Sequence, residues 1–236
     1  MKVEVLRDAD AVARRAAALV AVEARAAASE RGCFGLAVSG GTTPWLMLRR
    51  LAKEDVPWGC VHVFQVDERV GPAGDPDRNL THLRESLFAR APLAEDRLHA
   101  MPVEGANLEA AAARYAREIA EVLGSPPALD LVHLGLGADG HTASLVPGDP
   151  VLEVANADVA TTAQPYQGRR RMTATYPLLE RARRILWIVT GGAKRKMLER
   201  LRKGDASIPA GRIRRDRALT LADWAAAGAP VSKDTP

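Results

Sequence analysis

The sequence predicts an α/β fold: one domain on a doubly wound, mainly parallel sheet flanked by helices, with the active site at the C-terminal ends of the strands. Three observations carry that expectation. Short apolar, β-branched runs alternate with longer helical stretches along the 236-residue chain. Four of those runs break off into polar turns rich in glycine and charge. No fixed-period repeat and no linker rich in Gly, Ser and Pro divides the chain. A single domain over 1–236 is therefore expected, with a core over about 3–225 and a flexible tail at 229–236.

In chain order, residues 3–6 read as a strand. The Ala-rich stretch 8–31 reads as a long helix, capped by Asp8 or Asp10 and stopped by Gly32. Residues 34–38 form a continuous apolar run, as a buried strand requires, and Pro44 fits the first turn of a helix over 45–53. The run 61–66 is β-branched and apolar, hence a strand. Helices are expected over 79–90 and over 107–123, the second with Asn107 as its cap. Strands follow at 129–135 and 185–190, then a helix at 193–203 and a last short strand at 218–221.

Composition excludes several classes of protein. An apolar content of 47% is too high for a disordered chain. No apolar run approaches the roughly 20 residues of a membrane helix, and residues 1–8 lack the apolar segment of a signal peptide. Cys33 and Cys60 are too few for a disulfide framework or a metal cluster, so a reduced, cytoplasmic setting is expected. The net charge of +4 is uneven: residues 161–236 hold 17 basic and 6 acidic side chains, whereas 1–160 hold 16 and 23. Nucleic acid is one candidate partner for such a basic third. Its aromatics, however, are only Tyr166, Tyr176, Trp187 and Trp224, and no reading motif accompanies them. No nucleic acid and no membrane partner is expected. Arginines such as Arg181, Arg183, Arg200 and Arg202 are read as solvated helix faces.

The four polar turns carry the chemistry. They are Ser39-Gly40-Gly41-Thr42-Thr43-Pro44, Asp67-Glu68-Arg69, Gly135-Leu136-Gly137-Ala138-Asp139-Gly140-His141 and Thr190-Gly191-Gly192-Ala193-Lys194. In a parallel sheet all strand C-termini lie on one edge, so these turns should converge there. Glycines before a helix expose backbone N–H groups to an anion. The first turn is not a P-loop, because the later Gly-Lys pair is absent. His141 can move a proton near neutral pH, and Asp139 can orient it. A lysine in the first turn of a helix opposes the helix dipole, a cost that a bound anion would offset. Each turn alone also admits a plainer reading: a capped turn, a solvated loop, a histidine satisfied by backbone, a lysine in water. Gly135, Gly137 and Gly140 fit the dinucleotide fingerprint. Asp139 would set a carboxylate against the pyrophosphate, though, and Pro147 and Pro150 stop the helix that the motif needs. Ser39 and Ser144 lack the surroundings of a catalytic serine, and His62 and His133 lie inside apolar strands as structural residues. No residue spacing makes a metal site.

Taken as a set and in this order, the four turns, together with Arg171-Met172-Thr173, resemble the 6-phosphogluconolactonase family over roughly residues 5–225. The resemblance implies hydrolysis of 6-phospho-D-glucono-1,5-lactone to 6-phosphogluconate in the pentose phosphate pathway, with no organic cofactor and no metal. It implies His141 as general base, oriented by Asp139, with Arg69 and Asp67 completing the catalytic set. Ser39, Gly40, Gly41, Thr42, Asn79, Arg171 and Lys194 are the expected substrate ligands. After the histidine the related glucosamine-6-phosphate deaminases run through Asn-Glu-Pro, where this chain reads Thr142-Ala143-Ser144-Leu145-Val146-Pro147 with no glutamate, and they carry Asp-Glu-Tyr where it reads Asp67-Glu68-Arg69. Both departures favour the lactonase over a deaminase-like isomerase. A non-catalytic sugar-phosphate regulator would have no use for the Asp-Gly-His set. The chain departs from the lactonase pattern too, with Asp77-Arg78-Asn79 where Asp-Ser-Asn is usual, and a changed loop surface is expected there.

Overall fold

The structure, a computed structural model, describes residues 1–228. The tail expected at 229–236 lies outside the described residues.

Alternating side chains build two cores on one sheet. The seven parallel strands are β1 (Lys2–Leu6), β2 (Phe34–Val38), β3 (Val61–Gln65), β5 (Leu98–His99), β6 (Leu131–Gly135), β9 (Arg184–Val189) and β10 (Ala218–Asp223). Their order is β1-β10-β9-β6-β2-β3-β5. Leu36, Val38, Val63, Leu186, Ile188 and Leu221 face α1 (Ala9–Arg31) and α2 (Thr42–Leu51). Ala37, Phe64, Val132, Leu134, Trp187 and Val189 face α4 (Leu108–Leu123), α5 (Tyr176–Arg181) and α6 (Arg195–Lys203). The period of two along each strand therefore divides the apolar residues between both faces. No helix among the described residues is long and apolar enough to cross a membrane.

Helix ends follow local chemistry. Asp8, not Asp10, caps α1 and accepts the Ala11 N–H at 2.8 Å, and Gly32 closes the helix in a left-handed conformation. Asn107 caps α4 through the Ala110 N–H. The helix expected over 79–90 is α3 (Asn79–Leu83) followed by a wider π turn over Arg84–Phe88.

From β2 the chain steps outward through β3 to β5, then returns on the other side of β2 as β6, β9 and β10. The winding reverses between β2 and β6, where a doubly wound sheet opens its binding crevice. One pair of contacts locks this junction. The Ser39 N–H donates to His133 Nδ1 at 3.2 Å, and the Ser39 hydroxyl donates to the His133 carbonyl at 3.1 Å.

A second sheet was not foreseen. Asp67-Glu68-Arg69, expected as a loop, is strand β4 (Asp67–Arg69), paired antiparallel with β8 (Arg171–Ala174), which pairs in turn with β7 (Val159–Thr161). Three consecutive charges carry no apolar alternation. The strand forms because β8 supplies its ladder and local donors satisfy its carboxylates.

Candidate active site

The loops beyond β2, β6 and β9 and the residues of β4 and β8 enclose a cavity of about 210 Å³. Ser39, Gly40 and Gly41 reach it from the end of β2. Asp67, Arg69 and Arg171 reach it from the second sheet, Gly137 and His141 from the turn after β6, and Lys194 from the turn after β9. Asn79, at the start of α3, completes the wall. Two expected residues stand off it. Thr42 begins α2 behind the glycines, and Asp139 backs His141 rather than lining the cavity.

The imidazole is held from behind. His141 Nδ1 lies 2.6 Å from Asp139 Oδ1, and the His141 N–H donates to the same oxygen at 3.1 Å. An ionised carboxylate only accepts, so Nδ1 carries the proton and Nε2 keeps its lone pair. Nε2 makes no hydrogen bond to the protein among the described residues, which leaves it for a ligand or water. Burial works to raise the Asp139 carboxyl, but the His141 amide and ring and the Tyr166 hydroxyl outweigh it and hold the group below its ordinary value. A side chain on Gly137 would meet His141 Nδ1 at 2.0 Å and Asp139 Oδ1 at 2.6 Å, so the turn must be bare there to leave room for the pair.

The cations are differently supported. Arg69 Nη1 donates to the Asn79 side-chain oxygen at 2.9 Å and to the Asp77 carbonyl at 2.7 Å. Asn79 Nδ2 donates to the Asp67 carbonyl at 2.9 Å. A side chain on Gly40 would meet Asn79 Oδ1 at 2.0 Å, so the glycine turn and this network interlock. Arg171 is buried and its Nε has no partner. Burial draws its guanidinium down, while Asp67 and Tyr166 work the other way. Lys194 precedes Arg195 and Lys196 at the start of α6, whose first turn holds no acid. At the other glycine turn, Gly41 opens α2 without any side-chain cap, so the first N–H groups of the helix remain available. Such a site suits a compact dianion.

Three supporting residues went unrecognised in the sequence. Glu68 is fully buried, and its carboxylate accepts the N–H groups of Arg69, Asn79 and Leu80 and the Gln65 amide, each at 2.8 Å. Ser144, fully buried, donates to Asp67 Oδ2 at 2.7 Å. Tyr166 donates to Asp139 Oδ2 at 2.9 Å. No sequence spacing marks them, because each acts across the fold. Arg78 corrects an expectation: it is not on a changed loop surface but fully buried, against Glu68 at 3.6 Å and paired with Glu104.

Residues 7–222 match the family described as glucosamine-6-phosphate isomerases/6-phosphogluconolactonase. The chain belongs to this family. A 6-phosphogluconolactonase of Synechocystis is 37% identical over 201 residues, covering 84% of this chain and 83% of that protein. One from Nostoc is 34% identical over 237 residues, covering 98% of each. A crystal structure of a 6-phosphogluconolactonase from Thermotoga maritima superposes with a TM-score of 0.83 at 25% identity, covering 94% of this chain and 98% of that one. No glutamate occurs in residues 142–147, the stretch that follows His141, and Ser144 within it donates to Asp67. Among the described residues no cluster of His, Cys, Asp and Glu is arranged to hold a metal ion.

Proposed function

We propose that the chain hydrolyses 6-phospho-D-glucono-1,5-lactone to 6-phospho-D-gluconate, with His141 as the general base. One observation carries the reading: a histidine with a free Nε2 and a carboxylate behind Nδ1 stands in a cavity that Arg69, Arg171, Lys194 and the glycines opening α2 also line. The family membership and the lactonase relatives support it.

The substrate phosphate carries a charge of about −1.5 to −2 near neutral pH. It sits against Gly40, Gly41 and Lys194, with Arg171 beside it. Asp67 and Asn79 hold sugar hydroxyls and Arg69. His141 Nε2 takes a proton from a water that attacks C1 of the lactone. Asp139 fixes the tautomer and stabilises the imidazolium. Arg69 faces the negative charge that builds on the carbonyl oxygen in the tetrahedral intermediate. The ring C–O bond then breaks, and the imidazolium returns the proton to the leaving alkoxide.

The deaminase reading finds no carboxylate in residues 142–147 after the histidine, and a non-catalytic regulator would leave the His141–Asp139 pair without a task. Two free thiols, Cys33 and Cys60, suit a reduced, cytoplasmic compartment. The test is turnover of freshly prepared lactone, coupled to oxidation of the product, with spontaneous hydrolysis subtracted and glucosamine 6-phosphate as control. Acceleration of the lactone alone is expected. Release of ammonia from the amino sugar, or a lactone rate equal to the spontaneous one, would refute the assignment.

A further inference from the structure

We propose that Tyr166 is a positioning residue for the His141–Asp139 pair and ties that pair to the anion-binding wall through Arg171; this rests on the lactonase reading above. Asp139 has two oxygens and the surroundings divide them. Oδ1 receives the His141 ring and amide, and Oδ2 receives the Tyr166 hydroxyl at 2.9 Å. The hydroxyl also lies 3.2 Å from His141 Nδ1, and the tyrosine ring meets the imidazole edge-on at 5.2 Å. A carboxylate turns easily about its last torsion, and the Asp139 side chain is 40% exposed, so water competes for it. Tyr166 removes that freedom and keeps Oδ1 aimed at the imidazole.

The tyrosine is delivered by a rigid device. Tyr166 and Arg169 pair antiparallel, with the Tyr166 N–H donating to the Arg169 carbonyl at 2.9 Å. The two residues between them, Gln167 and Gly168, have φ of 52° and 82°. Positive φ at both central positions is what a two-residue type I′ hairpin requires. Two residues on, the Arg171 guanidinium lies over the Tyr166 ring, 5.1 Å from its centre, and Nη2 donates to the Tyr166 carbonyl at 3.3 Å. One side chain thus touches both the proton-transfer pair and a cation of the cavity wall. The charged groups around the imidazole are Asp139 on its own turn, Arg171 from β8, Asp67 and Arg69 from β4, and Lys194 from the turn after β9. Tyr166 is the neutral donor that sets how much of the Asp139 charge the imidazole feels.

Tyr166→Phe removes the hydroxyl and keeps the ring, so the packing survives. Two readouts separate the possibilities. Nitrogen NMR of the imidazole, with the His141 signal identified by its loss in His141→Asn, reports which ring nitrogen carries the proton and needs no substrate. In the wild type Nδ1–H should dominate, and in Tyr166→Phe the Nε2–H form should grow. With lactone, kcat should fall roughly tenfold, as expected for losing a hydrogen bond to a charged group, with KM within about twofold. An unchanged tautomer balance would overturn the proposal, and so would a raised KM with kcat intact, which would make Tyr166 a substrate contact. If the wild type fails to hydrolyse lactone while the tautomer balance still responds, the lactonase reading falls and the positioning role stands.

Discussion

At the scale of single residues, the site separates proton transfer from anion binding. His141→Ala removes the proposed base, and a general base typically contributes about 10²–10⁴-fold. Steady-state kinetics on fresh lactone should show kcat lower by that order and a smaller change in KM. Turnover at the wild-type rate would remove His141 from the mechanism. Lys194 sits where a cation is least comfortable, at the start of α6 beside Arg195 and Lys196. Lys194→Ala should therefore raise KM for the lactone several-fold while leaving kcat closer to its starting value. An unaltered KM would show that the phosphate does not sit there. Both residues were legible in the sequence, because reactive types beside glycines at strand ends are a local signal. Tyr166 was not: it lies 25 residues from His141 along the chain, and only the hairpin brings it back.

At the scale of elements, β4 and α3 show how charge can replace an apolar core. Glu68 sits at the N-terminus of α3, where it accepts the Asn79 and Leu80 N–H groups, and beside the buried Arg78. Glu68→Gln keeps the shape but turns one acceptor into a donor that faces backbone N–H groups. Denaturant unfolding should show a loss of about 2–4 kcal/mol, the range for breaking a buried, multiply bonded charge. A midpoint equal to wild type would mean that water or a neighbour compensates. The long strands and helices could be read in advance, since periodicity, Asp8 and Asn107 caps and Gly32 are local features. The second sheet could not, since Asp67, Glu68 and Arg69 become a strand only when Arg171, Met172 and Thr173 arrive opposite them.

At the scale of the whole molecule, the junction between β2 and β6 makes folding sensitive to acid. Burial pushes His133 down from its ordinary 6.5 to about 3. The unfolded chain binds a proton there below pH 6.5, whereas the folded chain stays neutral until about pH 3. The unfolded state holds more protons across that window, so stability is full above 6.5 and declines as pH falls towards 3. Asp75 and Asp139, whose carboxyls are held below their ordinary value, add a decline in the same direction at lower pH. His133→Asn keeps an acceptor for the Ser39 N–H and removes the titration. Its stability, measured by urea unfolding at pH 7 and pH 5, should fall less on acidification than that of the wild type. Equal losses would show that His133 does not set this limb.

The sequence alone determined the layered class of the fold, the strand ends that carry reactive residues, and the family. These depend on periodicity, caps and glycine turns, which neighbouring residues decide among themselves. Tertiary structure alone decided that Glu68 and Arg78 are buried, that Ser144 serves Asp67, and that Tyr166 stands behind the imidazole. Each of those contacts joins residues from separate elements, and a side chain's burial or hydrogen-bond partner does not exist until the sheet has brought those elements together.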